Sequence, residues 1–157
     1  MKTIQLTKGF IAFVDDVGFN HISLRKWRYH TNGRTSYAIS GQWPNQVFMH
    51  HLVLPRKDGF EIDHINGNGL DNRRENLRYV TCSENRYNRG PTKVNSSGYK
   101  GVFPHTHGWF ARIKVKDKEK PIYLGFFKDK VEAAKAYNEA ALKYHGEFAY
   151  QNPIPPP

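Results

Sequence analysis

The chain has 157 residues, enough for one ordinary domain or two small ones. Hydrophobic residues make up 38% of it and aromatic residues 14%, which excludes an intrinsically disordered chain. Lysine and arginine outnumber the acidic residues by 24 to 14, and the resulting net charge of +10 is spread over both halves. The expected partner is therefore a polyanion, nucleic acid before membrane. A soluble basic protein without such a partner is the alternative.

Targeting signals and the cysteine content exclude several further classes of protein. No apolar run reaches the roughly 18–20 residues that span a bilayer. Positions 1–13 alternate polar and apolar residues, so neither a signal peptide nor a membrane partner is expected. The single cysteine, Cys82, excludes an internal disulfide and a zinc ribbon, so we expect no structural zinc. We expect a cytoplasmic, non-secreted protein.

The amino-terminal part, up to about residue 46, reads as short strands separated by turn signals such as Asn32-Gly33. A brief helix is predicted over Ser23–Trp27. The following segment, 47–90, is predicted to form a strand, a tight turn, a returning strand and a helix. The strands predicted in these two segments are 3–6, 11–14, 37–40, 61–65 and 79–80.

Breaker residues at 91–97 predict a linker before a third segment. Alternation predicts three strands, and then a helix that Asp129 caps and Gly146 ends. Along the middle strand, Ala111 and Ile113 should face this helix and Arg112 the open side. The three strands are predicted at 99–103, 109–116 and 122–127. Together with the helix they form a module over 98–152, and a Pro-rich tail follows at 153–157. The fold class is α+β.

Residues 60–90 hold most of the chemistry. Asp63 and Asn85 offer hard oxygen ligands that suit one divalent cation, magnesium or manganese. His64 can accept a proton from an attacking water. Several arginines could hold the flanking phosphates: Arg73, Arg74, Arg78, Arg86 and Arg89. Three asparagines are read as turn formers rather than ligands, and two histidines as structural or phosphate-facing: Asn66, Asn68, Asn72, His50 and His51.

The order His64, Asn76, Asn85 resembles the HNH (His-Me finger) nucleases, in the variant that ends in asparagine. The stretch from Phe60 to Asn88 looks especially like phage and intron-encoded homing endonucleases. The resemblance implies a ββα-metal domain over 1–90, with its core motif at 47–90. In it, His64 is the general base, Asp63 and Asn85 bind the metal, and Asn76 holds the loop that positions the base. The family pattern has arginine after the Met-His pair, where this chain has His51.

The module at 98–152 resembles the APETALA2-type (ethylene-response-factor) DNA-binding domain. Its motifs include Tyr99-Lys100-Gly101-Val102 and Trp109-Phe110-Ala111-Arg112-Ile113, followed by an alanine-rich helix. The resemblance implies a three-stranded antiparallel sheet packed on one helix. The residues expected to contact DNA are Lys100, Arg112, Lys114 and Tyr123. The family's first strand carries arginines where this chain has Phe103. We therefore do not expect this chain to prefer the DNA sequences that the family binds.

These interpretations combine into a site-specific endonuclease acting on double-stranded DNA, with no small-molecule cofactor. If the chain is phage-encoded, it acts in the host cell cytoplasm. One active site per chain should nick one strand, so a double-strand break needs a homodimer or two nicks. The alternatives are a DNA-binding regulator and an assembly component, each carrying an inactive nuclease domain.

Overall fold

The computed structural model describes residues 1–156. The chain divides into two compact units, Met1–Cys82 and Ser83–Pro157. The architecture is mixed, with small antiparallel sheets and few helices, in agreement with the predicted α+β class. No helix in residues 1–156 combines the length and the apolar character needed to cross a membrane.

The first unit consists of three small sheets and two short helices. A two-stranded sheet pairs β1 with β2, a three-stranded sheet has the order β3-β4-β5, and a hairpin pairs β6 with β7. The bounds are β1 Lys2–Gln5, β2 Ile11–Val14, α1 Phe19–Ser23, β3 Arg28–Thr31, β4 Ser36–Ser40, β5 Val47–Phe48, α2 Met49–Val53, β6 Glu61–His64 and β7 Leu77–Val80. Single 3-10 turns lie at Thr7–Gly9 and Arg74–Asn76.

One apolar core joins the amino-terminal strands to the helices of this unit. Ala12, Val14 and Met49 are fully buried in it, and the Trp27 indole donates to the Ile22 carbonyl at 2.8 Å. Burial of such side chains stabilises a fold by roughly 1.5–3 kcal/mol each. The core therefore fixes the positions of α2 and β2, the elements that carry His50 and Phe13.

The second unit begins within the helix α3 (Cys82–Asn88) and is built around a three-stranded antiparallel sheet. Its strands are β8 (Val102–His105), β9 (Gly108–Ile113) and β10 (Ile122–Phe127), in the order β10-β9-β8. The long helix α4 (Lys130–His145) packs on one face of this sheet, and a 3-10 turn follows at Gly146–Phe148.

Small residues allow α4 to lie close against the sheet. Ala133, Ala134 and Ala141 are fully buried, and they pack with Val102, Ala111 and Ile113 of the strands. Gly101 has a positive φ of 76°, and a Cβ there would collide with the Tyr137 ring. Only glycine fits that position, because both the backbone conformation and the space exclude a side chain.

The helix ends were predicted correctly. The Asp129 side chain accepts hydrogen bonds from the amides of Val131 and Glu132, at 2.6 and 3.2 Å, as an N-cap does. Gly146, with φ 56°, follows the last helical residue. The predicted facing of β9 is also confirmed, since Ala111 and Ile113 are buried and Arg112 is exposed.

One helix differs from its sequence prediction, and the two compact units divide at a point other than the predicted linker, whose bounds stay a prediction. The helix expected over Ser23–Trp27 is wrong, because α1 ends at Ser23. The division between the units lies at Cys82 and Ser83, ahead of the linker predicted at 91–97. Contacts of α3 with later parts of the chain are the reason. One example is the Tyr150 amide, which donates to the Tyr87 carbonyl at 3.1 Å.

Candidate active site

The hairpin of β6 and β7 places Asp63 and His64 at the end of its first strand. Asp63 lies opposite Arg78, and His64 lies opposite Leu77. The Arg78 guanidinium reaches the Asp63 carboxylate, with Nη2 at 3.0 Å and Nε at 3.1 Å from Oδ2. Both side chains are largely buried. This cross-strand ion pair fixes the orientation of the carboxylate.

His64 is buried at 5% exposure beside the amide of Asn72. Asn72 donates its amide nitrogen to the Leu70 carbonyl at 3.1 Å, so its Oδ1 is the atom that faces His64 Nε2, at 3.5 Å. An amide oxygen only accepts, so this contact favours the neutral tautomer that carries its proton on Nε2.

The surroundings of His64 also favour the uncharged ring. Burial lowers the pKa of His64 below its usual 6.5, while the Asn72 hydrogen bond and the charges of Asp63 and Asp71 act more weakly in the opposite direction. A buried cation is costly in a medium of low dielectric constant. The imidazole is therefore neutral near pH 7, which is the state that a general base requires.

Asn76 closes the loop that links the two strands. Its Oδ1 accepts from the Asn66 amide at 3.0 Å, and its Nδ2 donates to Asn66 Oδ1 at 3.0 Å and to the Asp71 carbonyl at 2.8 Å. The side-chain oxygens of Asn66 and Asn68 each accept from the backbone amide two residues on. Their interpretation as turn formers is confirmed, and Asn76 has the contacts that holding this loop requires.

Asp71 is a second buried carboxylate in the same loop. Its oxygens accept from Arg73 Nε and Nη2, each at 2.8 Å, and from Asn66 Nδ2 at 2.9 Å. The Arg73 hydrogen bond is the largest cause that lowers the pKa of Asp71. The backbone of Phe13 in β2 exchanges hydrogen bonds of 2.8 Å with the residues on both sides of Asp71. The amino-terminal sheet therefore holds the loop that carries Asn72.

Two histidines of α2 lie near His64. The His50 ring is 5.1 Å from the His64 ring and nearly perpendicular to it, and the His51 ring is 4.4 Å from that of His50. Burial, and then repulsion by His64 and His51, lowers the pKa of His50 to about 3. Within residues 1–156, its buried Nδ1 has no hydrogen-bond partner. Of the two readings left open for His50, the structural one fits this burial.

The side chains that could bind a metal ion in this protein are oxygen donors. Residues 1–156 contain no group of three or more His, Cys, Asp or Glu side chains placed to bind a metal ion. Asp63 offers a carboxylate in the first unit, and Asn85 of α3 offers an amide oxygen in the second. Carboxylate and amide oxygens are hard donors of the kind that magnesium and manganese prefer, and magnesium usually keeps several waters and binds substrate phosphates.

The first three arginines that the sequence assigns to DNA have internal partners. Arg73 also pairs with Glu75, at 2.6 Å between Nη1 and Oε1. Arg74 donates Nη1 to the Leu77 carbonyl at 2.9 Å, and Arg78 holds Asp63. These arginines thus organise the loop and hairpin, a role that the sequence did not indicate. Their contact with phosphates stays a prediction.

The lysines predicted to contact DNA also bond within the second unit. Lys100 Nζ donates to the carbonyls of Arg86, Tyr87 and Arg89 at 3.1, 2.6 and 2.6 Å, at the carboxyl end of α3. Burial is the first cause that lowers the pKa of Lys100, to about 8. Lys114 Nζ donates to the carbonyls of residues 118 and 119 at 2.6 Å each. Both ammonium groups therefore have structural partners.

His64, the neighbouring Asp63 and the loop held by Asn76 all lie in one stretch of the chain that a known sequence family matches. The HNH endonuclease family model matches residues 38–87, which include Asp63, His64, Asn76 and Asn85. A viral relative is similar over 94% of the chain. The chain therefore belongs to the HNH endonuclease family.

That relative is an uncharacterized HNH endonuclease of Acanthamoeba polyphaga mimivirus, 30% identical over 152 residues that cover 77% of its length. Protein 3.8 of Escherichia phage T7 is 30% identical over 97 residues, which are 60% of this chain and 78% of that protein. APETALA2-like protein 2 of Oryza sativa subsp. indica is 45% identical over 58 residues, which are 36% of this chain and 13% of the rice protein. No solved structure matches the chain significantly.

Proposed function

We propose that the chain is a metal-dependent endonuclease that hydrolyses phosphodiester bonds of double-stranded DNA, with His64 as the general base. The single observation that carries the proposal is the state of this residue. Its ring is buried, burial lowers its pKa, and Asn72 Oδ1 lies 3.5 Å from Nε2, which favours the tautomer with its lone pair on Nδ1. Membership of the HNH endonuclease family supports the same reaction class.

In the proposed reaction, His64 Nδ1 accepts a proton from a water molecule as the water oxygen attacks the phosphorus. The bond between phosphorus and the leaving sugar oxygen breaks, and that oxygen takes a proton from solvent. Asn72 positions the imidazole through Nε2. Asn76 acts as a positioning residue as well, because it holds the loop that carries Asn72.

Asp63 and Asn85 are the residues that we propose to hold one divalent cation, magnesium or manganese. When bound, the cation supplies charge stabilisation to the phosphate and to the leaving oxygen. The ion pair with Arg78 supports this role for Asp63, because it keeps the carboxylate oriented. In this proposal, β6, β7 and α3 form the ββα-metal unit of the His-Me finger nucleases.

The second unit is proposed to select the DNA. Its sheet on one helix, its basic residues and the partial similarity to APETALA2-like proteins support a recognition role. One proposed active site per chain implies that a monomer nicks one strand, in the manner of homing-type enzymes. A double-strand break would then need a homodimer or two successive nicks.

Cleavage of a randomised duplex library tests the proposal without knowledge of the target. The library is incubated with the chain and magnesium, and the new ends are sequenced. We expect ends that share a sequence for the wild type, and no ends above background for His64→Ala or with EDTA. His21→Ala is the matched control, since His21 is an exposed histidine of α1. It should cleave like the wild type.

The same experiment separates the alternatives. A wild-type chain that binds DNA but leaves the library intact with either metal would be a regulator or an assembly component with an inactive nuclease domain. Cleavage that survives His64→Ala would remove His64 from the role of base, whatever the chain's activity.

A further inference from the structure

The face of the second unit's sheet that points away from α4 carries a row of aromatic rings. Phe103 of β8 and Phe110 of β9 have centroids 5.3 Å apart and planes inclined by 21°. Phe110 and Tyr123 of β10 follow at 6.4 Å and 30°. The row crosses all three strands, and Tyr123 is 63% exposed.

An irregularity in β10 enlarges this aromatic surface. The register shifts between Tyr123 and Gly125, so that Tyr123 pairs with Arg112 while Phe126 pairs with Phe110. Tyr123 and Phe126 therefore lie on the same face, although they are three residues apart. Both border a shallow groove that Arg112 and Lys120 also line. Phe126 is 44% exposed.

This face offers only a few polar groups that could read the base edges of a duplex. Base edges in the major groove are read by free donors and acceptors, above all by guanidinium and amide groups. Here the Arg112 guanidinium lies over the Phe103 ring, 4.4 Å from its centroid, and the Lys114 ammonium is held by two backbone carbonyls. What the face offers outward is mainly ring surface.

Ring surface beside positive charge matches the chemistry of unpaired nucleobases. A duplex hides its base faces within the stack, whereas a single strand exposes them, and stacking on aromatic side chains tolerates any base. The charged side chains that line the groove are Arg112 and Lys120, both cationic and complementary to phosphates. Large exposed apolar patches on soluble proteins usually mark binding sites.

We propose that this face, defined by Phe103, Phe110, Arg112, Lys120, Tyr123 and Phe126, binds single-stranded DNA. Phe110, Tyr123 and Phe126 stack on unpaired bases, and Arg112 and Lys120 contact the neighbouring phosphates. The inference deepens the proposed recognition role of the second unit and does not depend on cleavage. It makes an opened or nicked DNA segment, rather than intact duplex alone, a ligand of this protein.

Fluorescence anisotropy with the full chain in EDTA tests this. The probe is a labelled mixed-sequence DNA strand of about 12 nucleotides. It is compared with its duplex, with RNA of the same sequence, and with an abasic strand that keeps every phosphate. We expect the single DNA strand to bind at least about tenfold more tightly than the abasic strand, more tightly than the duplex, and no more weakly than the RNA. Tyr123→Leu should weaken binding by about tenfold.

Tyr144→Leu is the matched control, because Tyr144 is an exposed tyrosine of α4 in the same unit. It should bind as the wild type does. Equal binding of the abasic strand, tighter binding of duplex or RNA, or an unaffected Tyr123→Leu variant would each overturn the inference. His64→Ala should keep the single-strand affinity, so loss of cleavage and loss of stacking remain distinguishable.

Discussion

At the scale of single residues, the buried His50 links the stability of the first unit to pH. Its pKa is about 3 in the folded chain, against 6.5 for an ordinary histidine. At pH 7.5 the His50 side chain is mostly neutral in both the folded and the unfolded chain. Below pH 6.5 it takes up a proton in the unfolded chain but not in the folded chain. The stability present above 6.5 is therefore lost progressively as the pH falls towards 3. For one such histidine the loss between pH 7.5 and 5 is about 2 kcal/mol.

His50→Leu should remove this part of the acid sensitivity. The free energy of unfolding, measured by urea titration at pH 7.5 and 5, should fall by about 2 kcal/mol less than in the wild type. His21→Leu, which replaces an exposed histidine, should leave the wild-type drop unchanged. An equal drop in wild type and His50→Leu would mean that His50 is not held neutral in the fold. Neighbouring His51 and His64 respond to acid as well, so some of the drop should persist.

Single residues also mark where sequence reasoning stops. Asp63, His64 and Asn76 could be selected because they are close in sequence and follow a family spacing. Asn72 was taken as a turn former, yet it is fully buried and orients His64. A run of asparagines and glycines predicts turns well, but it does not show which amide folds inward. That depends on Phe13 in β2, far away in sequence.

At the scale of elements, the sequence predicts the strands from the alternation of polar and apolar residues, and it predicts the ends of the long helix from its capping residues. The strands β2 and β10 match their predicted ranges, and α4 begins and ends where its caps indicate. The helix α2 was not predicted, because five residues are too few to display a helical period. Its position depends on Met49, which is buried in a core made by distant strands.

The helix α3 depends on Lys100 for its carboxyl end. The last carbonyls of a helix lack partners within it, and here one ammonium group serves two of them, Arg86 and Tyr87, together with the Arg89 carbonyl just beyond the helix. Lys100→Met keeps the aliphatic stem but removes these bonds. We expect a loss of about 1–3 kcal/mol in stability, seen in urea titration and as faster hydrogen exchange of the α3 amides.

Lys118→Met is the control for that substitution, because it removes an exposed lysine of the same unit. It should change neither the stability nor the exchange. If Lys100→Met behaves like this control, water replaces the ammonium group at the end of α3 without loss of stability. The hydrogen bonds of Lys100 would then not stabilise α3.

At the scale of the whole molecule, the sequence and the structure divide the chain differently. Sequence resemblance ends the nuclease part at residue 90, whereas contacts assign Ser83 onward to the second unit. The His145 ring stacks on Tyr87 at 3.7 Å, and the Tyr150 amide and Lys100 bind carbonyls of the same segment. Motif spacing cannot reveal this, because the contacts of His145 and Tyr150 with Tyr87 join residues about sixty positions apart.

A chain ending at residue 90 tests which division matters for function. It keeps Asp63, His64, Asn76 and Asn85 but loses every contact from Lys100, His145 and Tyr150 to α3. A helix of seven residues is too short to persist alone, so Asn85 should lie in an unfolded segment. Because Asn85 is a proposed metal ligand, we expect the rate of cleavage at saturating DNA to fall at least about tenfold, the usual effect of removing the groups that support such a ligand.

Weaker DNA binding alone would also slow the truncated chain, so full-length Tyr123→Leu serves as the comparison. That variant alters the proposed recognition face and leaves the contacts of α3 in place. It should cleave normally once DNA is saturating, and circular dichroism should show helix loss only in the truncated chain. A truncated chain that matches it in both rate and α3 content would show that α3 folds without the second unit. Asn85 would then need no support from Lys100, His145 or Tyr150.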